Sequence, residues 1–301
     1  MLHTRTTPAQ RRRALRERLS TGRLLTVPGA LNPLTARLVQ DLGFEAAYLS
    51  GAVLAADLGL PDIGLTTATE VAARAQQTTR VTDLPVLVDA DTGFGGPLNA
   101  ARTVQLMEDA GLAGLHLEDQ VAPKRCGHLD GKTVVPREEM ARRLRAAVDA
   151  RRDPGFLLMA RTDARAVEGL AAAIDRAKAY VDAGADAVFP EALAGEAEFE
   201  AFRKAVDVPL LANMTEFGKG PLLDARTLQD LGYDIALYPV TLLRLAMGAM
   251  EDGLRTLAAD GTQAALLPRM QTRSRPYELL GYADYTAFDT AVLDATLPPG
   301  S

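Results

Sequence analysis

The chain has 301 residues, 48% of them hydrophobic, with Lys+Arg 33 against Asp+Glu 39 and a formal net charge of -6, which excludes a disordered or collagen-like polymer and suits a globular protein with a sizeable core. Mild acidity speaks against nucleic acid, whose phosphates call for a clustered basic surface. The single cysteine, Cys126, excludes an intrachain disulfide and a cage of several thiolates, and points to a reducing, cytoplasmic setting.

The first twenty residues carry Arg5, Arg11, Arg12, Arg13, Arg16 and Arg18 with one acid, Glu17, a composition that superficially resembles a transit peptide. The preferred reading is a helix opened by Pro8, with Ala14, Leu15 and Leu19 spaced to dock on the body of the protein. His3 is assigned to a frayed terminus. Eight short apolar runs follow, at 24–27, 46–49, 85–89, 114–117, 156–160, 187–189, 209–212 and 235–238, each reading as a buried strand. Between them the periodicity predicts helices such as 33–42, 68–79, 99–110, 137–150, 167–183 and 224–231, and Gly43, Gly111, Gly184 and Gly232 stand where a helix ends in a left-handed residue.

Eight such units in about 240 residues match an eight-stranded parallel β/α barrel of the TIM type, whereas a doubly wound sheet more often stops at five or six strands. No dinucleotide fingerprint or P-loop follows a strand, so a nucleotide cofactor is not expected. The longest uncharged apolar stretches, 46–56 and 235–243, are too short for a bilayer, and no membrane segment is expected. An eighth helix, 241–258, completes the barrel. The helical tail 276–293 is surplus to it and either packs on a neighbouring subunit or caps its own barrel's rim. The chain reads as one domain, 1–301, with a barrel core of about 22–258 and a helical extension from 259.

In a barrel the chemistry sits at the carboxyl ends of the strands. Here apolar runs end in Ser50 and Gly51, Asp89 and Asp91, Glu118 and Asp119, Arg161 and Asp163, Glu191, and Asn213 and Thr215. Any one of these alone reads as a cap or rim ion pair; six consecutive strands with the same ending point to a site. Asp89 and Asp91, two apart, would project to one side of an extended chain. Converging carboxylates repel unless a cation lies between them, and Mg2+ suits one or two carboxylates plus waters, with Glu118 holding those waters from an outer shell. In KRCGH (124–128), Lys124, Arg125 and His128 would lower the thiol pKa of Cys126. His116 reads equally as a packed histidine or a ligand. Arg161, Arg244 and Arg273 offer planar forks for carboxylates and imply a polyanionic substrate. The loop from Val121 to Val134, with Gly127, Gly131 and a run of charges, is expected to be a mobile lid.

The motifs YLSGA (48–52), GLPDIG (59–64), VDADTGFG (88–95), HLEDQ (116–120), KRCGH (124–128), MARTDA (159–164), FPEA (189–192), LANMTEFG (211–218) and MQTR (270–273) together resemble the isocitrate lyase and phosphoenolpyruvate mutase superfamily, most of all its branch acting on 2-methylisocitrate. The resemblance implies that Ser50, Gly51 and Ala52 bind an α-keto acid and that Asp89 and Asp91 hold Mg2+, with Mn2+ as a substitute. It also implies substrate contacts from Cys126, Gly127, Arg161, Glu191, Asn213, Met214, Thr215, Arg244 and Arg273. Ala52 stands where many relatives carry a second glycine, which would alter the keto-acid cradle. The implied reaction is a retro-aldol cleavage to pyruvate and succinate in propionate breakdown, by a homotetramer whose barrels exchange a C-terminal helix. Such chemistry needs an acid for the carbanion, Cys126, and a base for the hydroxyl, Tyr48 assisted by Arg161 and Asp62. Phe189, Leu237 and Pro239 suit a methyl group. An isocitrate or dimethylmalate lyase, a phosphonopyruvate-type enzyme and a non-catalytic dicarboxylate-binding barrel are the alternatives.

Overall fold

The computed structural model describes residues 4–128 and 131–293; His3, and Leu129 and Asp130 within the expected lid, lie outside the described residues. In chain order the elements are α1 (Pro8–Leu19), β1 (Leu25–Pro28), α2 (Pro33–Asp41), β2 (Ala47–Leu49), α3 (Gly51–Asp57), α4 (Ala68–Thr79), β3 (Val86–Asp89), α5 (Pro97–Asp109), β4 (Gly114–Glu118) and α6 (Arg137–Ala150). They continue through β5 (Leu157–Thr162), α7 (Arg165–Glu168), α8 (Leu170–Asp182), β6 (Ala187–Pro190), α9 (Glu196–Ala205), β7 (Leu211–Asn213), α10 (Ala225–Asp230) and β8 (Ile235–Tyr238). Beyond these come α11 (Thr241–Asp260), a 3-10 turn (Ala264–Arg269), α12 (Ser274–Leu280) and α13 (Tyr282–Leu293).

All eight expected strands are present. β2 to β6 pair in sequence order and β7, β8 and β1 pair in turn, every pair parallel. Two further backbone bonds close the ring: Ala30 N to Tyr48 O at 2.8 Å, and Val188 N to Pro209 O at 2.9 Å. Alternate residues of each strand point inward. Leu25, Val27, Leu87, Leu157, Leu211 and Ile235 fill the barrel, while Val86, Val88, Leu115 and Leu158 pack outward against the helices. Both faces are covered, which is why these strands read as continuous apolar runs.

The N-terminal helix plugs the amino end of the barrel, Leu15 and Leu19 joining the interior cluster. Ala14, expected to dock with them, is exposed. Arg11 and Arg12 are buried in its place, because each spends its guanidinium on orphan carbonyls at helix ends. Arg11 Nη1 donates to Thr79 O and Thr82 O, both at 2.7 Å, and Arg12 to Leu112 O, Glu108 O and the Asp153 carboxylate. The arginine-rich start is therefore a fastener of the barrel floor.

The helix expected over 167–183 is split at Gly169, and the one over 276–293 at Gly281. α12 docks on α2 through the buried Leu279, whose carbonyl accepts from Arg37 Nε, and through an Arg275–Asp41 ion pair. α11, which the sequence reading wraps onto the barrel, has no buried residue. Among the described residues no helix is long and apolar enough to cross a membrane.

Candidate active site

A cavity opens at the carboxyl ends of the strands, and Asp91 lines a neighbouring one that shares Lys124 with it. Of the expected site residues, Tyr48, Ser50, Ala52, Asp62, Asp89, Cys126, Gly127, Arg161, Glu191, Asn213, Thr215 and Arg244 line the first. Gly51 lies against its wall, where a Cβ would stand 2.9 Å from Asp89 Oδ2, so a side chain there would displace the carboxylate. Ala52 sits within helix α3, a conformation that costs alanine nothing, so the expected disturbance of the cradle has no backbone cause. Met214 and Arg273 are not brought to the cavity. Met214 alternates away from Asn213 and Thr215 into the outer core, its sulfur accepting the Leu223 N–H at 3.3 Å. Arg273 is exposed at the start of α12, carried off by the segment that follows α11.

The carboxylates are arranged differently from the extended pair expected. Asp91 adopts a left-handed backbone, φ 45, which aspartate tolerates better than most residues, and its N–H donates to Asp89 Oδ1 at 2.9 Å. The result is a turn that folds one carboxylate beside the other. Burial, then the Asp89 charge, pushes Asp91 up to about 6. At Asp89 burial acts in the same direction, but His116, Lys124 and Arg161 outweigh it and hold the group below the usual carboxylate range. Glu118, at 0% exposure, is pushed well up by burial, and neither of its oxygens has a hydrogen-bond partner among the described residues.

Arg161 is the hub of the opposite wall. Nε stands 2.9 Å from Asp163 Oδ2 and 3.4 Å from Glu118 Oε2, Nη2 stands 3.2 Å from Glu191 Oε2, and the guanidinium carbon lies 5.0 Å from the centre of the Phe189 ring. Glu191 also receives His128 Nε2 at 2.8 Å and Asn213 Nδ2 at 3.2 Å. Arg244 is held by the Glu216 carbonyl at 2.6 Å, with its guanidinium 5.1 Å from the Phe217 ring. Asp119 faces away from the cavity, accepting from Thr162, Tyr180 and the Asp163 N–H; its place is structural.

Two residues of the cavity wall were read from sequence only as neighbours of the thiol. The Lys124 ammonium bonds Asp62 and stands 3.1 Å from Asp91 Oδ1. His128 is spent on Glu191, and Arg125 on the Lys124 carbonyl. The signal was present in the acidity of the facing loops, but only the fold supplies the pairing. His116 is also resolved: it is buried, its pKa pushed down to about 4 by burial, and Nε2 lies 2.7 Å from the Tyr48 hydroxyl. Burial, then Asp89, in turn raises Tyr48 well above the ordinary phenol value.

The family model for phosphoenolpyruvate phosphomutase matches residues 15–258. A probable 2-methylisocitrate lyase of Corynebacterium glutamicum is 62% identical over 285 residues, covering 95% of this chain and 93% of that protein. The solved 2,3-dimethylmalate lyase, described as a PEP mutase/isocitrate lyase superfamily member, superposes with a TM-score of 0.89 at 33% identity over 98% of this chain and 99% of its own. Phosphonopyruvate hydrolase, solved with oxalate and Mg++, gives 0.86 at 29% identity over 96% and 100%. With the barrel, the acid cluster and the KRCGH loop in place, the chain belongs to the phosphoenolpyruvate mutase/isocitrate lyase superfamily, in its 2-methylisocitrate lyase branch.

Proposed function

We infer that the chain cleaves 2-methylisocitrate to pyruvate and succinate, a retro-aldol reaction assisted by Mg2+. The observation that carries this is a cavity lined by the Cys126 thiol, by Arg161 and Arg244, by the carboxylates of Asp62, Asp89 and Glu191, and by the apolar Phe189, Leu237 and Pro239.

The residues present fit a divalent ion. Asp91 folds beside Asp89 as a pair of converging carboxylates, and the fully buried Glu118, with Arg161 Nε 3.4 Å from one oxygen, has no hydrogen-bond partner among the described residues. Asp89 and Asp91 would hold the ion, with Glu118 reached through water. A related hydrolase solved with oxalate and Mg++ supports a divalent ion in this superfamily. When bound, Mg2+ supplies the positive charge that stabilises the developing keto acid.

The chain's own groups do the rest. Arg161 and Arg244 bind substrate carboxylates, and Ser50, Asn213 and Thr215 orient them. Phe189, Leu237 and Pro239 form the apolar wall for the methyl group. Cys126, half-buried on the cavity side of its loop, gives its proton to the carbanion left on the succinate fragment. Tyr48 takes the hydroxyl proton as its own phenolic proton passes to His116 Nε2, 2.7 Å away, the contact that also fixes the direction of its oxygen. Asp62, held by Lys124, serves to anchor that ammonium beside Asp91.

The assembly we infer is a homotetramer that exchanges a C-terminal helix. Met247, Met250, Leu254 and Leu257 form one exposed apolar row on α11, with Leu254 67% exposed, at the spacing of a packing face. The lone cysteine supports a reducing, cytoplasmic location. Steady-state kcat/KM on 2-methylisocitrate, isocitrate and 2,3-dimethylmalate tests the substrate: the first is expected to lead, and either of the others leading overturns the reading.

A further inference from the structure

Lys132 belongs to the loop after β4, yet its side chain is only 3% exposed and leaves that loop for the barrel. Its ammonium lies 2.9 Å from Asp163 Oδ1 and also bonds the Gly127 carbonyl, one residue past Cys126. The same Asp163 oxygen receives Arg161 Nη2 at 3.2 Å, and Asp163 Oδ2 receives Arg161 Nε at 2.9 Å. Gly127 presses so closely on this cluster that a Cβ would lie 2.4 Å from Arg161 Nη2 and 2.7 Å from Glu191 Cγ. The two feet of the loop are pinned separately, by Val121 N to Thr133 O at 2.9 Å and Val135 N to Asp119 O at 2.8 Å. Gln120 and Arg125 exchange a further pair of bonds at 2.9 and 2.8 Å. On the far side of Gly127, His128 reaches Glu191 at 2.8 Å; the Gly127 carbonyl itself is tied to the carboxyl end of the barrel by Lys132.

We propose that Lys132 is a positioning residue, a latch whose ammonium ties the Gly127 carbonyl to the Arg161–Asp163 pair and so seats Cys126 over the cavity in register with the arginine that grips the substrate. The argument is geometric. Asp163 is shared, so the seating of the thiol loop and the orientation of Arg161 depend on one carboxylate. A lysine suits this task because a compact ammonium on a flexible stem bonds a carbonyl and a carboxylate at once. Its catalytic consequence rests on the lyase reading, in which Cys126 donates the proton.

Cys126 is the only cysteine, so alkylation by iodoacetamide reports on it alone. In the ligand-free enzyme K132M, which keeps the stem and loses the charge, is expected to be alkylated about tenfold to a hundredfold faster than the parent, the range spanned by loss of a charge-assisted hydrogen bond. With 2-methylisocitrate and Mg2+, its kcat should fall by a similar factor with KM nearly unchanged, and K132R should recover most of both. A K132M enzyme within about threefold of the parent in alkylation and kcat, well below that range, overturns the proposal. So does a K132M enzyme that loses its thermal transition while K132R restores the fold but not the slow alkylation. Failure of the substrate reading shows separately, as a parent enzyme that does not turn over 2-methylisocitrate while alkylation still answers to Lys132.

Discussion

Lys124 and Asp91 stand 3.1 Å apart across the mouth of the fourth strand, joining the loop that carries Cys126 to the turn that carries the carboxylate pair. Burial alone would lower the lysine's pKa, but Asp89, Asp91, Glu118 and Asp62 outweigh it and hold the ammonium charged. A substitution there acts on both halves of the site. Lys124→Met is expected to leave the carboxylates under-neutralised and to lower kcat by at least about tenfold, the scale of one lost hydrogen bond to a charged group. Parent-like kinetics in the variant would remove Lys124 from the machinery.

Exhaustive chelation should abolish turnover and Mg2+ should restore it, with Mn2+ as a substitute, because Asp89 and Asp91 fold side by side as oxygen donors that suit a hard divalent ion. Activity unchanged after chelation, with the metal content measured, is the contrary result.

Cys126→Ser keeps a similar size but offers a proton of far higher pKa. General acid catalysis contributes about 10²- to 10⁴-fold, so kcat should fall by at least the lower figure with KM little changed. A loss below about threefold would make the cysteine structural.

Hydrogen exchange at 121–128 and 131–135 should slow when pyruvate, succinate and Mg2+ are added, because the loop is anchored at its feet and by a few polar contacts rather than by a core. Equal exchange with and without these ligands would argue against the expected lid.

Asp163 links stability to pH. Burial by itself would raise its pKa, but Arg161 and then Lys132 outweigh it and hold the group down at about 2. A carboxylate depressed in the folded state stabilises it fully above the unfolded value near 4 and loses that contribution as the pH falls toward 2. Asp163→Asn should therefore cost about 3–5 kcal/mol at neutral pH, the cost of removing one partner from a buried ion pair. The gap to the parent should narrow below about pH 4. Urea midpoints measured from pH 7 downward give the comparison, and a gap independent of pH would refute the linkage.

The sequence by itself determined the barrel and the carboxyl-end polar residues. Strands covered on both faces must be continuously apolar, and the polar residue that ends each run, from Ser50 to Asn213, has nowhere to go but the rim. Periodicity also placed α4 and α6 at their observed bounds. What it lacked was direction and partnership. Asp91 turns back on Asp89 through a left-handed backbone that residue type does not announce, Met214 faces the outer core because the strand phase puts it opposite Asn213 and Thr215, and the pairing of Lys124 with Asp62 and Asp91 depends on contacts between loops distant in the chain. The same holds for Arg11 and Arg12, whose burial requires carbonyls from α4, α5 and the turns that follow them. α11 shows the limit from the other side. Its sequence is amphipathic enough to pack on a barrel, yet its apolar row is exposed here, because periodicity specifies that a face must be covered and not which surface covers it.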